Sequence, residues 1–237
     1  LVDIDCSMYI LNKILLQNYN NILYMLTFII NLDDSNSRLD KYQNTSFHRW
    51  RATPRHEIHK FIDEKMISYY NLPRPSHLAK CGCFTSHMKL YEHIVHHKLN
   101  DVLILEDDAV KVNDIPLEYP TDGIIYLGGF IANKKMTDTK KDIILSTDGM
   151  NTIDKNKKRC LMTMSYIIPT WEIAEELLYE INSLERYRAI DVLLGNINIP
   201  CYYNYPASFI ESSEESTISK KSKKSNQFYE WVSISSK

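Results

Sequence analysis

Only six glycines occur in the 237 residues, against 16 tyrosines and a visible surplus of Ile, Asn and Lys. Such a bias weakens any argument from propensity alone, so the spacing of apolar residues has to carry the structural reading. Cysteine is sparse: Cys6, Cys81, Cys83, Cys160 and Cys201 are an odd set, too thin for a disulfide scaffold, and they point to a reducing compartment. No stretch reaches the roughly 20 apolar residues of a membrane helix. The nearest one, close to the start, is interrupted by Asn12, Lys13, Gln17, Asn18, Asn20 and Asn21. It also lacks the basic start, clean apolar run and small-residue cleavage site of a secretory leader. Residues 1–24 are expected to be an extension outside the core, or an extra packed helix. Charge of one sign is missing too. With 28 basic and 30 acidic residues the net charge is −2, which excludes a broad nucleic-acid surface and favours a small partner. Histidine is absent beyond residue 97.

What is present is enough for a core, since 44% of the residues are hydrophobic. "MLTFIINL" (25–32) has the pattern of a buried strand ended by the polar loop Asp33-Asp34-Ser35-Asn36. Thr53-Pro54 looks like a helix start, with Ile58, Phe61, Ile62 and Met66 at helical spacing behind it. Thr85 or Ser86 is expected to cap a further helix whose apolar face is Met88, Tyr91, Ile94, Val95 and Leu99. Strands follow at 102–108, 123–129, 142–147 and 160–168. A helix is expected from Thr170 to about Leu184, a short one over Ala189–Asn196, and a last strand in "IPCYYNYP". The Ser- and Lys-rich residues 212–237 have the composition of a mobile tail. Strands alternating with helices in the first half predict an α/β fold with a largely parallel sheet.

The chemistry concentrates in "VLILEDDAV" (102–110), where a branched apolar run ends in three carboxylates. Ligands of open α/β sheets bind beyond the carboxyl ends of the strands, which is where Glu106, Asp107 and Asp108 fall. Three adjacent acids repel one another unless a cation offsets them, and Mg²⁺ or Mn²⁺ favours carboxylate oxygens. Alternation along an extended chain pairs Glu106 with Asp108 and turns Asp107 the other way. The competing explanation is a solvated acidic end neutralised by a nearby Lys or Arg.

Taken in order, "FIINLDDSNSRLDKY" (28–42), "GCFTSHMKLYEHIV" (82–95), "VLILEDDAV", "IIYLGG" (124–129) and "MSYIIPTWEIAEELL" (164–178) resemble glycosyltransferase family 25. The resemblance covers roughly residues 25–215. It implies a single domain over 25–211 with a GT-A-type, Rossmann-like mixed sheet flanked by helices. It further implies an inverting, metal-dependent transfer of a hexose, galactose or glucose, from a UDP-sugar to a glycan or hydroxylated side chain of a protein. Under it "EDD" corresponds to the DxD motif: Asp108 holds Mn²⁺ or Mg²⁺, Glu106 reaches the metal's water shell or the ribose, and Asp107 joins the donor contacts. Such enzymes often take a second ligand, frequently a histidine, from the C-terminal half. None exists here, so an acid, hydroxyl, amide or water must serve.

Inversion by single displacement needs a base for the acceptor hydroxyl. Asp191 in "RAIDVLLG" is the first candidate and Glu211 in "FIESSEES" the reserve. An acid stabilising a helix start explains Asp191 equally. The resemblance puts Asn31, Leu32 and Asp33 at the nucleoside and Ala52 in its pocket. Arg38 suits a phosphate but also suits a structural anchor. His87 is expected to be structural, with a donor contact as its other role. Cys81 and Cys83 with His87, His93, His96 and His97 raise zinc, yet the cysteines are one residue short of C-x₂₋₄-C and the histidines spread around the helix. The alternative to an enzyme is a non-catalytic module binding nucleotide-sugar or glycan on the same fold. The expected location is cytoplasmic, with at most peripheral membrane contact through the lysines at 220–224.

Overall fold

The computed structural model describes residues 25–43, 45–61, 75–133 and 147–212. The 1–24 extension, nearly all of the 212–237 tail and all but Thr147 of the strand expected at 142–147 lie outside them. In chain order the strands are β1 (Leu26–Asn31), β2 (His48–Arg51), β3 (Val102–Glu106), β4 (Ala109–Lys111), β5 (Ile124–Tyr126), β6 (Phe130–Asn133), β7 (Gly149–Thr152), β8 (Lys158–Leu161), β9 (Ser165–Ile168), β10 (Cys201–Tyr205) and β11 (Phe209–Glu211). The helices are α1 (Pro75–His97), α2 (Trp171–Ser183) and α3 (Ile190–Leu194), with 3-10 turns at Asp33–Tyr42 and Ile58–Lys60.

Seven strands make one sheet in the order β2-β1-β3-β9-β5-β10-β7, and β11-β4 and β6-β8 form two-stranded ribbons. It is an α/β fold with a mixed sheet. β2, β1 and β3 run parallel, as do β5 and β10. β9 is antiparallel to both its neighbours and β7 to β10, so the expectation of a largely parallel sheet holds for β2-β1-β3 and for β5-β10 and fails at β9 and β7. The physical reason is the connection. Between β5 and β9 the described chain folds through the β6-β8 ribbon, and no crossover helix is described there to return the strand in parallel.

Branched residues alternate between two faces with the period of two that a strand imposes. Phe28, Ile30, Val102 and Ile104 point to the face covered by the helices, where Leu90, Tyr91, Ile94 and Leu177 pack. Ile29, Leu103 and Leu105 point to the other, packed with Tyr42, Leu127 and Phe209. Both faces are therefore dry, which is why β1 and β3 are near-continuous apolar runs. The Tyr42 hydroxyl donates to the Ala109 carbonyl and fastens the Asp33–Tyr42 turn to β4.

Local expectations fail at three places. Thr85 and Ser86 do not cap a helix, because α1 begins at Pro75 and both lie inside it. Ser86 instead donates to the Gly82 carbonyl at 2.6 Å and accepts from the Thr53 N–H at 2.8 Å, tying α1 to the segment after β2. Asp33–Asn36 is the start of a 3-10 helix, not a loop. After Thr53-Pro54 the described chain shows only the short turn at Ile58–Lys60; Ile62 and Met66 lie outside the described residues. Gly128-Gly129 is explained by packing: a Cβ at Gly129, whose φ is +87°, would strike the Leu161 and Met162 carbonyls. That contact brings the 161–164 loop over the end of β3.

Candidate active site

Beyond the carboxyl end of β3 the chain turns sharply at Asp107-Asp108 and leaves as β4. β4 pairs with β11 so that Glu211 stands opposite Ala109, and the Ser212 N–H donates to the Asp108 carbonyl at 2.7 Å. The 161–164 loop covers the turn from one side and α3 from another. Together they enclose a cavity of about 260 Å³ whose wall includes Glu106, Asp107, Asp108, Asp191, Glu211 and Arg38. Residues from β3, α3 and β11 thus converge, although Glu106 and Glu211 are far apart in the chain.

The three adjacent acids have different surroundings. Asp107 is matched: its Oδ1 accepts from Arg38 Nη1 at 2.9 Å and its Oδ2 from Asn31 Nδ2 at 2.8 Å. Asn31 is buried and also donates to the Ser35 carbonyl, while Arg49 Nε donates to its Oδ1 at 3.0 Å. Arg38 is therefore tied to a carboxylate, and the alternative of a structural anchor describes that contact. Glu106 Oε1 accepts from Thr163 Oγ1 at 2.9 Å and lies 3.5 Å from His87 Nε2. Burial pushes its carboxyl up, but the pull of His87 and the Thr163 hydrogen bond outweigh it, and the group sits below the usual glutamate range.

Asp108 is the exception. Its Oδ1 is buried and has no hydrogen-bond partner. Burial first, then the charges of Glu106, Glu211 and Asp107, push its pKa up to about 7 against the partial relief of Arg38. Glu211 is raised as well, by burial and by Glu106. An orphaned carboxylate oxygen with other acids near it suits a hard divalent cation, and Asp108 could hold one with Glu106 or Glu211 as a further ligand.

Asp191 faces the same cavity from α3. Its Oδ1 accepts from the Val192 N–H at 2.7 Å and its Oδ2 from the Met162 N–H at 3.4 Å, which fixes the carboxylate toward the 161–164 loop. Leu32, Asp33 and Ala52 stand apart from this cavity wall. Asp33 lies on the exposed rim in contact with Arg49 and Arg51, at 2.6 and 2.7 Å, and Ala52 is buried with its N–H on the Asn31 carbonyl. His87 is fully buried, with Nδ1 2.6 Å from the Tyr166 hydroxyl.

The broad histidine and cysteine set does not assemble. His93 packs edge-on to Phe28 and against Trp50 and His97, and Cys81 lies in the core. Only Cys83 and His87 come together, facing Glu106. Thr163 and Lys80 also line the cavity and were not singled out. Thr163 carried a weak signal, a hydroxyl inside the largely apolar run "CLMTMSYII", whereas Lys80 carried none.

Among the described residues no helix is long and apolar enough to cross a membrane. A comparison with curated proteins returns no match. The family model described as glycosyltransferase family 25 (LPS biosynthesis protein) matches residues 25–194, which spans β1 through α3 and includes every candidate named above except Glu211. With more than two thirds of its length inside that match, the chain belongs to glycosyltransferase family 25.

Proposed function

We propose that the chain is an inverting hexosyltransferase that moves galactose or glucose from a UDP-sugar to a hydroxyl of a glycan or protein side chain, with Mn²⁺ or Mg²⁺ bound by its acids. The observation that carries this reading is Asp108: a buried carboxylate oxygen without a partner, facing a cavity it shares with Glu106, Glu211 and Asp191. A divalent cation there would neutralise the diphosphate charge that develops as the sugar leaves.

The protein's own groups have separate tasks. Asp107, held by Arg38 and Asn31, keeps the turn rigid so that Asp108 stays aimed into the cavity. Asp191, positioned by two backbone N–H groups, takes the proton of the acceptor hydroxyl. As that oxygen bonds to the sugar's anomeric carbon, the bond from that carbon to the diphosphate oxygen breaks and the pair of electrons leaves with the diphosphate. Glu211 is the reserve base. The cavity is smaller than the roughly 300–1,000 Å³ of pockets that enclose a whole ligand, so it suits the diphosphate-sugar end. The nucleoside would then lie along the rim of β1 and β2, at Asn31, Leu32, Asp33 and Ala52, with His87 supporting from behind. Work on the cytoplasmic side of a membrane that bears the acceptor fits this reading.

The test is donor binding and turnover together. UDP-galactose or UDP-glucose at a hundred times its dissociation constant, with Mn²⁺, should stabilise the protein by about 2.7 kcal/mol. UDP release should need an acceptor and vanish in Asp191→Ala. Melting curves indifferent to every nucleotide-sugar would defeat the proposal; binding without turnover would leave a binding module.

A further inference from the structure

Cys83 lines the cavity with the acids, and His87 is buried. Cys83 and His87 are four residues apart on α1 and so share one face of the helix. β3 delivers Glu106 opposite them. The cysteine sulphur, a ring nitrogen and a carboxylate oxygen lie within 4.8 Å of one another. The His87 ring is fully buried, and its Nδ1 is committed to Tyr166, whose hydroxyl meets that of Tyr91 at 2.7 Å. Its Nε2 has no hydrogen-bond partner. Glu106 Oε1 is 3.5 Å away, beyond the roughly 2.7–3.2 Å of a nitrogen–oxygen hydrogen bond. A buried ring nitrogen left in that state calls for an occupant.

We propose that Cys83, His87 and Glu106 form a site for a thiophilic divalent cation of the zinc class, with its fourth position open to the cavity. The spacing fits. Tetrahedral zinc with a nitrogen and an oxygen ligand sets those two atoms about 3.4 Å apart, against the 3.5 Å found. The edges that involve sulphur are about 3.6 Å, so Cys83 has to close in by at most about 1.2 Å from the 4.8 Å limit. In the tautomer whose Nδ1–H donates to Tyr166, Nε2 presents its lone pair, and a hydrogen bond behind a ligating imidazole is what such sites carry. Thr163 steadies Glu106 in the same way.

Burial, then the charges of Glu106, Asp191 and Asp108, hold the Cys83 thiol well above its usual range, so without a cation it is protonated. Binding exchanges that proton, released to solvent, for a sulphur–metal bond. Sulphur and imidazole nitrogen are poor donors for Mg²⁺ and good ones for zinc, which separates this site from the carboxylate set around Asp108. Glu106 is common to both, so the test reads sulphur, a signal that Asp108 and Glu211 cannot produce.

The experiment titrates the chelator-stripped full chain with Co²⁺ alone. The expected result is a saturable thiolate-to-cobalt charge-transfer absorption at one equivalent, displaced by Zn²⁺ and absent in Cys83→Ser. His87→Gln should weaken Co²⁺ by about tenfold or more. A companion measurement on the unaltered protein avoids any folding defect: Zn²⁺ should protect Cys83 from iodoacetamide, read by peptide mass mapping. Absence of the absorption, its survival in Cys83→Ser, or unchanged alkylation of Cys83 overturns the site.

Discussion

The rim beside β1 and β2 and the cavity beyond β3 both hold acids at strand ends, yet they treat charge in opposite ways. On the rim Asp33 and Glu57 meet arginines. Asp33 bonds Arg49 and Arg51, and Arg51 reaches on to Glu57 at 2.6 Å, all at half-exposed or exposed positions. In the cavity Asp108 is half-buried, its Oδ1 is enclosed and has no hydrogen-bond partner, and its nearest charges are mostly acids. The rim explains itself as solvated ion pairs of small worth. The cavity does not, because unmatched buried charge survives selection only where something else depends on it. Asp107, one residue from Asp108 and tied to Arg38 and Asn31, behaves like the rim although it stands in the cavity wall.

The largest effect should come from making Asp108 resemble its neighbours. Asp108→Asn removes a charge and keeps the shape. Transfer from UDP-sugar should fall by about 10²–10³-fold, as for loss of a group stabilising the departing charge. The unliganded protein should meanwhile melt higher, since the repulsion from Glu106 and Glu211 is gone. Turnover within a few-fold of the parent, or a lower melting point, would put Asp108 with the structural acids. Asp107→Ala should do the reverse. Removing one partner of a buried pair costs about 3 kcal/mol, visible as a lower urea midpoint at unchanged slope.

Acidity sharpens the contrast next. Asp108 titrates near 7 in the folded chain, against an ordinary value of 3.8. Below the lower value both states are protonated and its contribution is intact. Between the two the unfolded chain loses its proton and the folded chain keeps it, so stability falls as pH rises and is fully lost above the higher value. Glu211 acts in the same direction and Glu106, lowered, in the opposite one. Measured by urea unfolding, stability should fall across that window more steeply in the parent than in Asp108→Asn. A flat profile in the parent would mean that Asp108 is matched after all.

How much of this was legible from the chain depended on whether the cause was local. β1 and β3 stand out because strands buried on both faces must be apolar throughout, and the acids that close β3 mark its mouth. β2 does not stand out: "HRWR" is an edge strand whose arginines face water, and its pattern resembles a charged loop. β11 is three residues long and exists because β4 offers it a partner nearly a hundred positions earlier in the chain. The same limit applied to the site. The divergence of Asp107 from Glu106 and Asp108 is what alternation along an extended chain predicts, although Asp107 and Asp108 fold as a turn just past β3. The meeting of Cys83 and His87 with Glu106 does not, since it requires α1 to pack its Cys83–His87 face against the end of β3. Ser86 misled for a related reason: a serine at a helix start and one bonding back to the preceding turn look alike until the helix's true beginning is known.

The smallest effect belongs to the rim. Asp33→Ala removes a carboxylate that accepts from two arginines, but its side chain is 54% exposed, and Arg51 keeps its second partner in Glu57. Water takes over what Asp33 leaves, so the loss of stability should stay within about 1 kcal/mol and shrink further in salt, where exposed pairs are screened. The same change in the donor's proposed nucleoside track should raise KM for the UDP-sugar while leaving kcat nearly unaltered, because a contact made equally in ground and transition states affects binding alone. A loss of several kcal/mol would mean that the arginine cluster braces β1 against β2, and the division between a solvated rim and a charged cavity would have to be redrawn.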